Sequence, residues 1–168
     1  GLELQRHPVD LVGLLDAQVE RLRVVAPAVT IHVTGTAPPV PADPERITQV
    51  LTNLLDNARR AMDGQGRIDV TVTEEVAEDG AWVVVDVRDD GPGIPADALE
   101  RVFDRFVRLD PSRTGSRGGT GLGLPIARGI ARAHGGDLVA LPAARGTWLQ
   151  LRLPGERPRP PDTAATPN

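Results

Sequence analysis

The sequence has no cysteine, no lysine and no tyrosine, and its aromatic residues are Trp82, Phe103, Phe106 and Trp148. The lack of cysteine excludes disulfides, thiolate catalysis and cysteine-ligated zinc, and it fits a reducing compartment. Because all 19 basic residues are arginine, any basic side chain that contacts a phosphate must be a guanidinium. With so few aromatics, the core has to be built from leucine, valine, isoleucine and alanine.

A small negative net charge and the lack of a long apolar run disfavour further classes of protein. The formal net charge is −4, which disfavours general attraction to nucleic acid or to an anionic membrane. No apolar run approaches the roughly 20 residues that span a bilayer. The length of 168 residues and the hydrophobic content of 40% predict one domain over residues 1–154. The Pro-rich, polar residues 155–168 are expected to be disordered.

Periodic apolar patterns predict the order of helices and strands. Helices are expected within residues 9–25, from an Asp43 cap to about Met62, over 96–106 and over 124–133. Strands are expected over 29–34, 67–73, 81–87, 137–141 and 147–153, with an acidic turn at 74–80. Residues 37–41 are expected to be extended and 107–119 to form a loop. This order predicts an α+β fold in which helices cover one face of a mixed sheet.

Three polar residues share one face of the helix that follows Asp43. Asn53, Asn57 and Arg60 are spaced at i, i+4 and i+7, beside an apolar stripe that can be buried. Carboxamides beside such a stripe cost free energy unless they find partners. An asparagine oxygen is a hard ligand that suits Mg²⁺, an ion that commonly bridges nucleotide phosphates. The alternative is that both asparagines lie on a solvated helix face.

An aspartate followed by a tight glycine turn ends the most apolar predicted strand. Asp89 precedes the sequence Asp90-Gly91-Pro92-Gly93. A carboxylate at this position can accept a hydrogen bond from an exocyclic amine such as adenine N6. Gly91 and Gly93 would let the backbone approach a flat ligand closely. The alternative is a strand-ending Asx turn with a proline bend.

A second glycine loop, residues 118–124, leads into the last predicted helix. Its successive amides and the helix N-terminus can form an anion site. No strand precedes the loop and no lysine follows its glycines, which disfavours a dinucleotide-binding turn and a P-loop respectively. In isolation this stretch can also be a flexible linker. The three motifs occur together in one chain, and that combination predicts a nucleotide site.

The motifs together resemble the catalytic ATP-binding domain of bacterial two-component sensor histidine kinases, within the superfamily of gyrase, heat-shock chaperone and mismatch-repair ATPases. The resemblance spans residues 9–153 and implies a two-layer α/β sandwich of the Bergerat type. Such a fold has about five mainly antiparallel strands on about three helices, and an ATP lid. The matching stretches are an N box at 49–58, glycine boxes at 89–93, 118–124 and 146–147, and an F box at 102–106.

The resemblance implies a role for each matching residue, with ATP and Mg²⁺ as cofactors. Asn57 would bind Mg²⁺, and Asn53 and Arg60 would act at the phosphates. Asp89 would read adenine N6. The remaining expected ATP contacts come from the glycine boxes, the apolar walls and the lid arginines: Gly91, Gly93, Ile94, Arg108, Arg113, Arg117, Gly119, Thr120, Gly121, Leu122, Gly123, Leu124 and Thr147.

Some positions depart from the patterns of the superfamily. Ala61 stands where an aromatic often stacks on adenine, and Pro125 opens the last helix, which the first helical turn tolerates. ATPases of the superfamily place a glutamate where this chain has Asn53, and an amide has no useful basicity. The resemblance therefore implies transfer of a phosphoryl group to an external acceptor rather than efficient hydrolysis.

The sequence does not reveal an acceptor. The phosphorylated histidine of the family lies in a His-Glu-x-x-x-Pro segment, which this chain lacks, and His7, His32 and His134 are expected to be structural. The implied partners are a helical dimerisation domain that carries the histidine and the receiver domain of a response regulator. We expect the domain to be a cytosolic portion of an inner-membrane sensor, monomeric in isolation and without nucleic-acid or membrane contacts. Two alternatives remain, an anti-sigma-type serine kinase and a regulatory module that binds ATP without transfer.

Overall fold

The computed structural model describes residues 3–105 and 123–156. The α-helices in these ranges are α1 (Leu11–Val25), α2 (Pro44–Ala61) and α3 (Gly123–Ala133). The strands are β1 (His7–Val9), β2 (Val29–Gly35), β3 (Val40–Ala42), β4 (Gly66–Ala77), β5 (Gly80–Asp89), β6 (Asp137–Leu141) and β7 (Trp148–Pro154). Two short 3₁₀ helices, Ala96–Ala98 and Arg101–Phe103, follow β5; residues 96–103 are called the 3₁₀ segment below.

Five strands form one mixed sheet in the order β2-β4-β5-β7-β6. Strand β2 runs parallel to β4, whereas β4–β5, β5–β7 and β7–β6 are antiparallel pairs. The register places Arg88 opposite Trp148, so the carboxyl end of β5 lies beside the start of β7. The α+β fold predicted from the sequence, a mixed and mainly antiparallel sheet with three helices, is confirmed.

The core lies between the helices and one face of the five-stranded sheet. Side chains alternate between buried and more exposed positions along β4 and β7, as half-buried strands require. Buried residues of the sheet and of the helices form one apolar cluster, which includes Leu15, Leu22, Ile47, Leu51, Leu54, Ile68, Val70, Val85, Leu149 and Leu151. The helix faces are therefore fixed against the sheet by hydrophobic burial.

Local sequence signals start α2, the helix that carries both asparagines. Asp43 caps its N-terminus, since Oδ1 accepts hydrogen bonds from the N–H groups of Glu45 and Arg46 at 3.1 and 3.3 Å. Pro44 occupies the first turn, where the missing N–H leaves no helical bond unmade. The predicted start of this helix is therefore confirmed.

The end and the rotation of α2 are also encoded locally. The chain leaves the helix through Asp63 and Gly64, both with positive φ, which ends the helical hydrogen-bond pattern. One face of α2 is buried, formed by Ile47, Val50, Leu51, Leu54, Leu55 and Ala58. Burial of this face leaves Asn53 and Asn57 at its edge, partly accessible.

Three local expectations were wrong or incomplete. Residues 96–98 and 101–103 form two 3₁₀ helices where a longer helix over 96–106 was expected; neither has a side-chain cap, and the 3₁₀ pattern is typical of such short pieces. Pairing of β4 with β5 continues to Ala77 opposite Gly80, so the turn is confined to residues 78–79. Strands β1 and β3 form a separate antiparallel pair that the sequence did not predict, because three-residue strands with central prolines carry almost no pattern.

Several expectations lie outside the described residues. They include the loop over 107–119 and residues 157–168 of the expected tail, and the domain boundary at 154 stays a prediction. Over residues 3–105 and 123–156, no helix combines the length and the apolar character that crossing a membrane requires.

Candidate nucleotide-binding site

The site begins at the carboxyl end of β5, where Asp89 is buried with 7% of its surface exposed. Its Oδ1 accepts hydrogen bonds from the N–H of Gly91 at 2.9 Å and from the N–H of Thr147 at 3.3 Å. The Asp89 N–H donates to the Thr147 carbonyl oxygen at 3.0 Å. These bonds fix the carboxyl group through one of its oxygens. Within the described chain no donor contacts Oδ2, which can therefore accept a bond from a ligand.

Burial sets the electrostatics of this carboxyl group. It raises the pKa of Asp89 above its ordinary 3.8, and the N–H groups of Gly91 and Thr147 oppose that rise only in part. The neighbouring charge of Asp90 adds to the rise in pKa. A desolvated carboxylate of this kind is stabilised by any hydrogen-bond donor that a ligand brings, such as an exocyclic amine.

Two glycine turns meet beside Asp89. Gly93 has a φ of +84° and Gly146 a φ of +65°. A Cβ on Gly146 would lie 1.8 Å from the Asp89 carbonyl oxygen, and one on Gly93 would lie 2.8 Å from the Gly146 carbonyl oxygen. Both positions therefore need glycine, for the left-handed backbone and for the close approach. The contact places the predicted first and third glycine boxes side by side.

The first glycine turn also touches the C-terminal end of α2. A Cβ on Gly91 would lie 3.1 Å from the carbonyl oxygen of Ala61. This approach brings the face of α2 that carries Asn57 and Arg60 to the Asp89 turn. Ala61 supplies no aromatic ring for a base, so the apolar contact expected there must come from other side chains.

The asparagine face of α2, defined by Asn53, Asn57 and Arg60, forms the other side of the site. Asn53 Nδ2 donates to the carbonyl oxygen of Gly123 at 3.0 Å, which ties α2 to the first residue of α3. Asn57 lies one helical turn further along α2 and is partly exposed. No described residue forms a hydrogen bond with its side chain. Arg60 is exposed at the end of the same face. An amide oxygen that is accessible and uncommitted fits the coordination chemistry of Mg²⁺.

Two of the residues expected to form apolar walls, Ile94 and Leu124, are partly buried and pack against the core. Their contact with a base stays a prediction. Leu124 belongs to the first turn of α3, and Pro125 follows it there without interrupting the helix. The first turn of α3 thus carries both an apolar contact and the Gly123 carbonyl group that Asn53 holds.

The remaining predicted contacts have no described position. Phe106 of the F box and seven expected ATP contacts lie outside the described residues: Arg108, Arg113, Arg117, Gly119, Thr120, Gly121 and Leu122. Their roles stay predictions.

The sequence analysis missed Arg128 of α3, which is 9% exposed and is the one buried arginine over residues 3–105 and 123–156. A signal was present, because this arginine interrupts the apolar stripe of α3 between Ala127 and Ile130. A charge at the edge of a buried helical stripe requires partners, and the partners come from other elements.

Comparison with known proteins assigns the class to which this fold and site belong. Residues 42–157 match the family described as histidine kinase-, DNA gyrase B- and HSP90-like ATPases. The chain belongs to this family. Within it, the matched relatives are sensor histidine kinases, so the domain is of their catalytic ATP-binding type. The resemblance inferred from the motifs is confirmed.

Two curated relatives illustrate the match. The sensor histidine kinase WalK of Bacillus subtilis (strain 168) is 43% identical over 116 residues, which cover 68% of this chain and 19% of WalK. The probable sensor histidine kinase TcrY of Mycobacterium tuberculosis (strain ATCC 25618 / H37Rv) is 39% identical over 156 residues, which cover 92% of this chain and 32% of TcrY. The chain therefore spans about a fifth to a third of the length of these relatives.

Solved structures give the same assignment. The mycobacterial sensor histidine kinase MprB aligns with a TM-score of 0.76 at 32% identity, covering 91% of this chain and 99% of that chain. Full-length ShkA in complex with AMPPNP aligns with a TM-score of 0.74 at 30% identity, covering 95% of this chain and 33% of ShkA.

Proposed function

We propose that this domain binds ATP with Mg²⁺ and donates the γ-phosphoryl group to a histidine on the helical dimerisation domain of a longer sensor kinase. From there the phosphoryl group passes to the receiver domain of a response regulator. In this proposal the domain is cytosolic, belongs to an inner-membrane sensor and is monomeric on its own. The observation that carries the proposal is the Asp89 carboxylate, with one oxygen held by two backbone N–H groups and the other open.

The base is proposed to bind at the Asp89 end of the site. Adenine N6 donates to the open Asp89 oxygen, and Ile94 and Leu124 contact the ring. Guanine presents a carbonyl oxygen at the corresponding position, which would face a carboxylate without a shared proton, so ATP is favoured over GTP. The ShkA structure, whose fold aligns with this chain and which contains AMPPNP, supports a nucleotide in this fold.

The phosphates are proposed to lie along the asparagine face of α2. Asn57 Oδ1 would hold Mg²⁺, and the bound ion would neutralise charge on the phosphate oxygens. Arg60, exposed at the end of this face, brings a guanidinium to the same side. Asn53 keeps its oxygen for a phosphate-side contact while its Nδ2 holds Gly123.

Phosphoryl transfer is favoured over hydrolysis of ATP because Asn53, the residue one helical turn before Asn57 on this face, is an amide. Water becomes an efficient nucleophile when a basic group accepts its proton, and an asparagine cannot accept one. The Asn53 Nδ2 is also committed to the Gly123 carbonyl oxygen. Catalysis would then rest on positioning and charge neutralisation, with an external histidine as nucleophile.

Incubation with ATP radiolabelled at the γ-phosphate tests the proposal. The chain alone should stay unlabelled. Adding a separate helical domain that carries the parent kinase's histidine should produce a label that is lost in acid and kept in base, as phosphohistidine is. An acid-stable label on serine or threonine of a partner protein would contradict the proposal and favour the serine kinase. ATP binding without transfer to the helical domain would favour the regulatory module.

A further inference from the structure

Arg128 of α3 holds its guanidinium between two other elements. Its Nη1 and Nη2 donate to the two carboxylate oxygens of Glu100 at 2.5 and 3.4 Å. Its Nε donates to Asp137 Oδ1 at 3.2 Å. The guanidinium carbon also lies 4.4 Å from the centroid of the Phe103 ring. One side chain therefore joins α3 to the 3₁₀ segment on one side and to β6 on the other.

A gain in the free energy of unfolding does not explain why Arg128 is buried between these partners. The Arg128 side chain is only 11% exposed, whereas those of Glu100 and Asp137 are 77% and 40% exposed. Burial opposes the charge of Arg128, yet the hydrogen bonds to Glu100 and Asp137 outweigh it and raise its pKa, so the group stays cationic. Water screens ion pairs whose partners are this exposed, so these pairs contribute little to the free energy of unfolding. An apolar side chain of similar length would pack against Phe103 without a desolvation cost.

The same helix is held at a second point, close to the candidate site. Asn53 Nδ2 donates to the Gly123 carbonyl oxygen at 3.0 Å, at the first residue of α3. Arg128 lies five residues later, about 7.5 Å along the helix axis at 1.5 Å per residue. These two polar contacts add to the buried packing of Ala127, Ile130 and Ala131 in setting the tilt of α3. The 3₁₀ segment is thus connected through α3 to the asparagine face of α2.

We infer that Arg128 is a positioning residue for the phosphate half of the nucleotide site. By holding α3 against Glu100 and Phe103, it keeps Gly123 and therefore Asn53 in the geometry that the phosphates require. The polar contact of the base half is anchored without α3, since Asp89 and Thr147 hydrogen-bond each other through the Asp89 carboxylate and the backbone. In the proposed site the base meets α3 through Leu124 alone, so loss of Arg128 should weaken binding of ATP more than binding of adenosine. This inference rests on the proposed function.

Three variants of the whole chain test the inference. Arg128→Met keeps the length and the apolar stem but removes the charge, and Glu100→Gln removes the charge of the exposed partner. Arg132→Gln is the matched control, because Arg132 lies on the same helix and bonds Asp137 at 3.0 Å. In the described structure Arg132 makes no hydrogen bond to Glu100 and no cation–π contact with the Phe103 ring. Each protein is titrated in a calorimeter with a non-hydrolysable ATP analogue plus magnesium, and separately with adenosine.

Arg128→Met and Glu100→Gln should lower the affinity for the ATP analogue about three- to fivefold, the effect of a partly screened ion pair. Their affinity for adenosine should stay within about twofold of the unmutated chain, and Arg128→Lys should recover part of the loss. The melting temperature of Arg128→Met should be unchanged or higher, which separates a positioning role from a merely structural one. Arg132→Gln should leave both affinities unchanged.

Unchanged affinity for the ATP analogue in both Arg128→Met and Glu100→Gln would overturn the inference, and so would equal losses for the analogue and for adenosine. If Arg128→Met does not fold, Glu100→Gln decides, because the Glu100 side chain is mostly exposed. Failure of the proposed function has a different signature: without a nucleotide site the unmutated chain would bind no ATP analogue, and without phosphoryl transfer these titrations would be unchanged while the labelling of the helical domain would be lost.

Discussion

Asp89 and Thr147 are joined by two hydrogen bonds that run in opposite directions. The Thr147 N–H donates to Asp89 Oδ1 at 3.3 Å, and the Asp89 N–H donates to the Thr147 carbonyl oxygen at 3.0 Å. The N–H of Gly91 adds a bond to the same Oδ1 at 2.9 Å. The carboxylate is therefore held in place before a nucleotide arrives, which reduces the ordering cost of binding.

Asp89→Asn should weaken ATP binding while the nucleotide-free domain stays as stable or becomes more stable. An asparagine oxygen can keep the bonds from the Gly91 and Thr147 N–H groups, but its Nδ2 would meet adenine N6 with a donor against a donor. Removing the buried charge relieves its desolvation. The loss in affinity should be roughly 10- to 100-fold, from the ~1.5–3 kcal/mol of a hydrogen bond to a charged group.

Calorimetry with ATP and thermal denaturation without it measure the two quantities. Asp97→Asn, at an exposed acid in the 3₁₀ segment, is the control and should change neither. A parallel loss of stability and affinity in Asp89→Asn would contradict a dedicated role in reading the base.

The raised pKa of Asp89 predicts that ATP affinity falls as the solution is made acid. Only the carboxylate accepts from adenine N6, so affinity should be lost as the pH falls through the folded-state pKa, which lies above 3.8. The free energy of unfolding changes with pH in the opposite direction to the ATP affinity, because the folded chain holds this proton more tightly than the unfolded chain. The stabilising contribution of Asp89 is full below its unfolded-state pKa and is lost as the pH rises through the folded-state pKa.

Titration of ATP affinity against pH checks this expectation in the unmutated chain and in Asp89→Asn. The acid-side loss that belongs to Asp89 should be missing from the variant, whereas protonation of the nucleotide affects both proteins alike. Identical pH profiles would show that another group controls the effect.

The sequence predicted those parts of the site that carry local signals. The Asp43-Pro44 start and the apolar stripe predict α2 and hence the shared face of Asn53 and Asn57. The strand that ends at Asp89 and the glycines after it predict a turn with an accessible carboxylate. Each of these features depends on neighbours within a few residues, so periodicity and turn chemistry are sufficient.

Contacts between distant segments could not be predicted in the same way. The sequence suggested that His134 is structural, and it is 2% exposed. Its Nε2 accepts from the N–H of Asp43 at 3.0 Å, across 91 residues, and its Nδ1 lies 2.8 Å from the Ile130 carbonyl oxygen. Since a backbone N–H can only donate, Nδ1 carries the proton. Nothing near His134 in the sequence indicates that it supports the cap of another helix; the partners of Arg128 were hidden for the same reason.

Asn57→Ala should abolish the part of ATP affinity that depends on magnesium. The variant removes the accessible amide oxygen of the asparagine face and changes no described hydrogen bond, so the fold should persist. The expected loss in the presence of Mg²⁺ is at least about tenfold, or ~1.4 kcal/mol. Affinity without the ion should change little.

Calorimetric titration with a non-hydrolysable ATP analogue, with and without magnesium, provides the measurement. Gln49→Ala is the matched control, because it removes an exposed carboxamide from the same helix and should alter neither titration. If Asn57→Ala kept the full response to magnesium, the metal would have to bind elsewhere.

Two glycine-to-alanine variants should have opposite effects on stability. At Gly146 the backbone has a φ of +65°, and an added Cβ would lie 1.8 Å from the Asp89 carbonyl oxygen. Gly146→Ala should therefore lower the free energy of unfolding by more than ~2 kcal/mol. At Gly129, exposed on α3, an added Cβ meets nothing within 4 Å. Gly129→Ala should raise the free energy of unfolding by up to ~1 kcal/mol.

Thermal denaturation separates the two variants, because ~1 kcal/mol shifts the melting temperature of a domain of this size by roughly 2–4 °C. ATP affinity should fall in Gly146→Ala, since the added methyl group displaces the backbone of Asp89, and should be unchanged in Gly129→Ala. Normal stability and normal ATP affinity in Gly146→Ala would mean that the turn before β7 can move without disturbing the carboxylate. The tight contact of the first and third glycine boxes would then have no part in holding Asp89.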